Sequence, residues 1–102
     1  MPAYWIAHAQ VKDPVEYKKY TDRLPALFGK FGAKILARGG DYKILEGDVP
    51  FERHVVIEFE SLAKAEAFFN SPEYQEAAAF RRQPGVAINH QIIVEGVSPP
   101  AS

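Results

Sequence analysis

Charged side chains are concentrated in residues 38–59, where the alternation of residue types predicts strands. Arg38 precedes the pair Gly39-Gly40, and glycines in a strand allow a ligand or another backbone to approach closely. A guanidinium at such a position can clamp a carboxylate through two parallel hydrogen bonds. Arg38 is therefore a candidate anion-binding residue. The alternative is that Arg38 pairs with a local carboxylate or with the chain of a dimer partner.

Glu46 and Arg53 flank a predicted turn near Pro50. Pairing of strands about this turn would bring Glu46 close to Arg53 or His54, so a cross-strand ion pair is one interpretation. In the other interpretation, Arg53 is a second anion-binding residue. A shift of one residue in the register would move these side chains to the opposite face of the sheet.

Glu58 and His8 are candidate proton-transfer residues. Glu58 lies in the apolar stretch Val56-Ile57-Glu58-Phe59, where burial would favour a neutral carboxyl that can act as a general acid or base. The alternative for Glu58 is a buried carboxylate at a dimer interface, satisfied by Arg or Tyr. His8 is a candidate for acid–base chemistry on its own. His8, His90 and Glu58 have the residue types of a non-haem metal site, but their spacing shows no metal pattern and no metal is predicted.

Tyr20 and Tyr74 are predicted to lie on helical faces. Aromatic residues on such faces are mostly core residues, although a hydroxyl at the mouth of a cavity can orient a ligand. Tyr20 and Tyr74 therefore join Arg38 and Arg53 as candidate ligand-binding residues. The sequence has no phosphate-binding glycine loop and no nucleophile elbow, and no cofactor is predicted.

Composition excludes several classes of function. The 102 residues fit one domain, and the net charge of −1 with interspersed signs argues against a nucleic-acid partner. The pair Arg81-Arg82 is predicted to be a solvated helix face. The absence of cysteine excludes disulfides and thiolate chemistry. No apolar run approaches the roughly 20 residues that cross a bilayer, so no membrane association is predicted and a cytoplasmic protein is expected.

The order of predicted elements is β-α-β-β-α-β. The predicted strands are residues 4–11, 33–38 resuming at 41–46, 53–59 and 86–95. The first helix opens at Asp13-Pro14, is kinked by Pro25 and stops at Gly32. Ser61 caps the second helix, and Ser71-Pro72 starts a further helical segment.

This order predicts an α+β ferredoxin-like fold, an antiparallel sheet in the order 4-1-3-2 with the helices on one face. The other face is half apolar, whereas a solvated face would carry more charge. We therefore predict a homodimer packed sheet to sheet, enclosing a partly polar cavity. Residues 1–97 are expected to form the single domain and residues 98–102 a flexible tail.

Six motifs appear in order along almost the whole chain. They are Asp13-Pro14 with Tyr17 and Tyr20, Ala37-Arg38-Gly39-Gly40, Leu45-Glu46-Gly47, Arg53 with residues 55–59, Ser71-Pro72-Glu73-Tyr74-Gln75, and Val94-Glu95-Gly96. Together they resemble the bacterial "domain of unknown function 1330" family. That family is similar to the dimeric α/β-barrel group of small monooxygenases, haem-degrading enzymes and lactone isomerases. The resemblance implies a dimer with a cavity between sheet and helices, and it implies no particular reaction.

Three functions are compatible with these expectations. The first is a cofactor-independent enzyme that acts on a small organic anion, with Arg38 or Arg53 binding charge and Glu58 or His8 moving a proton. The second is a non-catalytic ligand-binding or stress-related module with the same cavity. The third is a purely structural dimer. The sequence leaves open whether the protein is an enzyme.

Overall fold

Four strands and four helices follow one another in residues 1–97, the part of the chain that the computed structural model describes. The predicted tail of residues 98–102 lies outside the described residues. The elements in chain order are β1 Ala3–Val11, α1 Pro14–Thr21, α2 Leu24–Phe31, β2 Lys34–Arg38, β3 Arg53–Phe59, α3 Leu62–Asn70, α4 Pro72–Arg81 and β4 Ala87–Glu95. The predicted α+β class with an antiparallel four-stranded sheet is confirmed.

Side-chain caps and one glycine set the ends of the helices. The Asp13 carboxylate accepts hydrogen bonds from the amides of Val15 and Glu16 at 3.1 and 3.2 Å, which satisfies donors at the start of α1. Ser61 Oγ accepts from the amide of Lys64 in the same way at the start of α3. Gly32 ends α2 in the left-handed region, with φ 68°.

Pro25 separates two helices, which corrects the prediction of one kinked helix. α1 ends at Thr21 and α2 begins at Leu24, so that Pro25 lies in the first turn of α2. Proline is favoured at the start of a helix because its missing N–H has no partner there, whereas in a helix interior its ring clashes with the preceding turn. The chain therefore breaks before Pro25.

The sheet has the strand order β2-β3-β1-β4, so β1 and β3 are its central strands. On one face of β1, Trp5, Ala7 and Ala9 are buried, and the helices cover this inner face. Trp5 packs against Phe68 of α3 and Tyr74 of α4, with ring centroids 5.3 Å apart in both pairs. Edge-to-face aromatic contacts of this kind stabilise a core beyond the burial of area alone.

The predicted strand at residues 41–46 is wrong. β2 ends at Arg38, and no strand occurs from Gly39 to Glu52. Gly39 adopts φ 64°, a conformation that favours glycine, while its amide still donates to the carbonyl of His54 at 3.1 Å. The chain therefore turns out of the sheet at Gly39. Glu46 is consequently exposed, and in residues 1–97 it forms no ion pair with Arg53.

The outer face of the sheet carries a row of three histidines. His8 of β1 lies directly opposite His54 of β3 and His90 of β4. The Nδ1 atoms of His8 and His54 are 2.8 Å apart, so one of these nitrogens donates a hydrogen bond and the other accepts it. Phe51 covers the row, with its ring centroid 6.0 Å from that of His8 and 4.8 Å from that of His90. Glu58 is half-buried on the same outer face.

Two further findings concern the described residues only. No group of three or more His, Asp or Glu side chains in residues 1–97 is arranged to hold a metal ion. No helix in this part of the chain is long and apolar enough to cross a membrane.

Burial and the neighbouring histidines make protonation of His8 unfavourable. Burial first, and then the charges of His54 and His90, lower the pKa of His8 below its usual 6.5. The unfolded chain therefore takes up a proton at a higher pH than the folded chain does. Folding stability should fall as the pH drops through 6.5 towards the lowered pKa of His8, and it should not depend on His8 above that range.

We predict that His8→Gln reduces this loss of stability on acidification. The measurement is the free energy of unfolding in urea at several values between about pH 7.5 and about pH 5.5. Gln10→Ala is the matched control, because Gln10 lies on the same face of β1 and does not titrate. An unchanged slope of stability against pH in His8→Gln would contradict the prediction.

Candidate functional site

A cavity of about 380 Å³ lies between the inner face of the sheet and helices α1 and α2. Its volume is within the range of small-molecule sites. The apolar part of its wall includes Trp5, Leu24, Phe28, Val55, Ile57 and Phe68. A ligand with an aromatic or aliphatic body would find dispersion contacts on every side of this wall.

Two arginines from neighbouring strands line this cavity. Arg38 lies opposite Val55 in the pairing of β2 with β3, and Val55 is also on the inner face. Arg53 precedes Val55 by two residues and therefore shares its face. The Arg53 guanidinium lies 5.9 Å from the ring centre of Tyr17. A side chain at Gly39 would come within 2.9 Å of Arg53 Nη1, so the glycine makes room for the guanidinium.

The cavity has an excess of positive charge. In residues 1–97, no carboxylate forms an ion pair with Arg38 or Arg53. Asp22 also lines the cavity, but its carboxylate accepts from Lys18 Nζ at 2.9 Å. An anionic ligand would therefore supply the charge that these two arginines lack.

The buried part of the cavity wall carries a network of hydroxyl groups. The hydroxyls of Tyr20 and Tyr74 are 2.9 Å apart, and both side chains line the cavity. Arg81 Nη2 donates to the Tyr74 hydroxyl at 3.1 Å. The Tyr74 hydroxyl in turn lies 3.3 Å from Gln91 Oε1, another atom at the cavity wall.

Helix α4 holds Tyr74 and Arg81 in place. Ser71 Oγ accepts from the Tyr74 amide at 3.1 Å and donates to the Phe68 carbonyl at 2.8 Å, so one side chain joins α3 to α4. Tyr74 and Arg81 are seven residues apart and thus lie on the same side of the helix, two turns from one another. Both side chains point into the core.

Arg81 is buried, which corrects the prediction that Arg81-Arg82 is a solvated pair. The Arg81 side chain is 7% exposed, whereas Arg82 is exposed and bonds to Gln75. No carboxylate pairs with Arg81 in the described part of the chain, and its Nε has no hydrogen-bond partner there. Its guanidinium carbon lies 5.2 Å from the ring centre of Tyr20, a cation–π contact.

Tyr20 stays protonated at neutral pH. Burial first, and then the electrostatic interaction with Tyr74, raises the pKa of Tyr20 well above its usual 10.0, although the charge of Arg81 opposes the shift. The Tyr20 hydroxyl is therefore a hydrogen-bond donor and not a base. The guanidinium of Arg81 is always charged, so a fixed positive charge lies behind the two hydroxyls.

The structure places the predicted site residues in two groups. Arg38, Arg53, Tyr20 and Tyr74 all line the cavity. His8 and Glu58 lie on the outer face of the sheet, so they cannot contact a ligand bound in the cavity. The two groups are thus separated by the thickness of the sheet.

Sequence reasoning missed Arg81, Asn89 and Gln91. A signal existed for Arg81, because it follows the buried face of α4 at helical spacing from Tyr74. A signal also existed for Asn89 and Gln91, which alternate with the apolar outer residues of β4 and therefore face inwards. Polar residues on the helix-covered side of a sheet point to a polar cavity.

Solved structures with the same fold include proteins of unknown function and one oxygenase. A protein of unknown function from Rhodopseudomonas palustris is 20% identical, with a TM-score of 0.74 over 96% of this chain and 84% of that one. A dimeric protein of unknown function with a ferredoxin-like fold, from Bacteroides fragilis, is 15% identical, with a TM-score of 0.62 over 93% of this chain and 96% of that one. SnoaB, a cofactor-independent oxygenase from Streptomyces nogalater, is 12% identical, with a TM-score of 0.60 over 99% and 98% of the two chains.

These likenesses show the fold, which is ferredoxin-like. No curated protein matches the chain. A family model described as "Domain of unknown function (DUF1330)" matches residues 2–97, which confirms the resemblance seen in the six motifs. The chain belongs to this family of domains of unknown function.

Proposed function

We propose that the protein binds a small organic anion in the cavity between the sheet and helices α1 and α2. One observation carries the proposal: Arg38 and Arg53 line a mainly apolar cavity, and no carboxylate of residues 1–97 forms an ion pair with either of them. An arginine presents a planar array of donors that matches a carboxylate. The apolar wall would hold the carbon skeleton of the ligand.

Arg53 is proposed to contribute more than Arg38. Arg53 is half-buried and its guanidinium is confined between Tyr17 and Gly39, whereas Arg38 is exposed. A charged hydrogen bond is stronger where water is excluded. Binding also loses less conformational entropy where the side chain is already confined.

We predict that Arg53→Gln weakens the binding of an aromatic carboxylate by roughly tenfold or more, the usual value of a charge-assisted hydrogen bond. The measurement is isothermal titration calorimetry with benzoate and para-acetylbenzoate. Arg38→Gln should have a smaller effect.

Arg82→Gln is the matched control, because Arg82 is exposed on α4 and does not line the cavity. It should bind both carboxylates as the natural protein does. Equal binding by Arg53→Gln, Arg38→Gln and the natural protein would contradict the proposal, and so would a failure of the natural protein to bind either carboxylate.

A cofactor-independent enzyme is the second candidate. Two observations favour it: the fold is similar to that of SnoaB, a cofactor-independent oxygenase, and Tyr20 offers a proton donor at the cavity. Binding without catalysis is better supported, because within residues 1–97 no unpaired general base lines the cavity. Asp22 is bonded to Lys18, and His8 and Glu58 are on the other face. Conversion of a bound carboxylate, seen by mass spectrometry of the mixture, would establish the enzyme.

We further propose that the outer face of the sheet packs against a second copy of the chain. Ile88, Ile92 and Val94 of β4 are exposed there, beside the half-buried Ile6 and Val56. Several similar solved structures are described as dimeric. Under this proposal Glu58 and His8 are interface residues, which is the alternative left open for Glu58 by the sequence.

We predict that Ile92→Asp converts the dimer to a monomer, because it would place a carboxylate in an apolar contact. The measurement is sedimentation equilibrium at micromolar concentration. Val15→Asp is the control, since Val15 is an apolar residue on α1 that is more exposed than Ile92 and lies away from the sheet. A monomeric natural protein, or a dimeric Ile92→Asp variant, would contradict the prediction.

A further inference from the structure

A network of hydrogen bonds lies at the part of the cavity wall formed by Tyr20 and Tyr74. The inference from this network deepens the proposed function and rests on it, because it concerns the same cavity.

With Gln91 Oε1 facing the Tyr74 hydroxyl, two arrangements of protons fit the network. Arg81 can only donate, so the Tyr74 hydroxyl accepts from Arg81 Nη2. In the first arrangement, Tyr74 donates to Gln91 Oε1 and Tyr20 donates to Tyr74. In the second, Tyr74 donates to Tyr20, and the proton of the Tyr20 hydroxyl is free to be donated into the cavity.

The two arrangements differ by one weak hydrogen bond. The bond of 2.9 Å between the two hydroxyls is present in both, while the bond of 3.3 Å from Tyr74 to Gln91 exists only in the first. Hydroxyl hydrogen bonds are best near 2.7–2.8 Å, so the longer bond is the weaker one. A ligand oxygen that accepts from Tyr20 would replace this weak bond with a stronger one.

The surrounding charge favours an electron-rich oxygen. Arg81 is a buried positive charge with no paired carboxylate among residues 1–97, and it contacts both Tyr74 and the ring of Tyr20. A fixed charge in a region of low dielectric polarises the hydroxyls that it binds. The field at this end of the cavity therefore stabilises partial or full negative charge on a ligand atom.

We propose that the cavity takes a two-ended ligand, an aromatic carboxylate with a carbonyl, phenolate or enolate oxygen at the end remote from its carboxylate. Arg53 and Arg38 bind the carboxylate, the apolar wall holds the ring, and Tyr20 donates to the second oxygen. Arg81 acts as a positioning residue, since it orients and polarises the hydroxyls without being part of the cavity wall.

Two ligands of nearly equal size test this proposal. Para-acetylbenzoate carries a carbonyl oxygen that accepts a hydrogen bond. In para-isopropylbenzoate a methyl group takes the place of that oxygen. The natural protein should bind the acetyl compound about tenfold more tightly, the usual value of one hydrogen bond to a buried donor. The measurement is the ratio of the two dissociation constants by calorimetry.

Tyr20→Phe should reduce this ratio to near one while retaining the affinity for para-isopropylbenzoate, because the ring remains and only the donor is removed. Arg81→Met should lower the ratio and Arg81→Lys should restore part of it, a pattern that a merely structural role would not produce. Tyr42→Phe is the control, since the Tyr42 ring packs against His54 and Tyr42 does not line the cavity, and it should keep the ratio of the natural protein.

The outcomes separate this inference from the proposed function. If the natural protein binds both ligands equally, the second polar contact is refuted and the anion-binding cavity stands. If neither ligand binds, both proposals are refuted. If Tyr20→Phe keeps the tenfold ratio, the donor is misassigned and the inference fails. Should Arg81→Met not fold, Tyr20→Phe and Arg81→Lys still decide the question.

Discussion

Arg81 places a permanent positive charge in the interior of the domain, where the described residues supply phenol and amide oxygens and no paired carboxylate. A buried charge is tolerated only when hydrogen bonds replace the water that it has lost. That requirement fixes Tyr74, because its hydroxyl accepts from Arg81, and through Tyr74 it fixes Tyr20 and Gln91. The Ser71 cap then ties Tyr74 to the end of α3. The hydrogen bonds that replace the water lost by one guanidinium therefore fix the side chains of this part of the cavity wall.

The sheet divides the chemistry of the protein between its two faces. The inner face combines an apolar wall with Arg38, Arg53 and the tyrosine hydroxyls, and its field is positive. The outer face carries the histidine row and exposed branched residues of β4. Acidification would add positive charge to the outer face at His8, where burial and two neighbouring histidines oppose it. The proposed ligand binding and the proposed association of copies would thus use separate surfaces of one small domain.

The local features of the fold followed from the sequence because their causes are local. The caps at Asp13 and Ser61 need only an oxygen placed before an amide that lacks a partner, and β3 is rich in β-branched and aromatic residues. Residues 41–46 also have a strand-like composition, yet a strand requires a partner, and the turn at Gly39 removes this segment from β3. The residue pattern of this segment alone cannot show that it has no partner strand in the described part of the chain.

The candidate site was only partly predictable for the same reason. The residue types alone singled out Arg38, Arg53, Tyr20 and Tyr74. No local feature of the sequence shows that these residues line one cavity. That convergence depends on the pairing of β2 with β3 and on the packing of α1 against α4. Arg81 was misjudged because its neighbour Arg82 suggested a solvated pair, although its spacing from Tyr74 placed it on the buried face.

The arginines of the cavity are proposed to bind an organic anion. The most direct measurement is a side-chain NMR titration that follows the Nε–Hε signals of the arginines while para-acetylbenzoate is added. Binding in the cavity predicts that the signals of Arg53 and Arg38 move and saturate, while those of the exposed Arg23 and Arg82 stay in place. A titration that moves only Arg23 or Arg82, or that leaves Arg53 and Arg38 unchanged at saturation, would contradict the account.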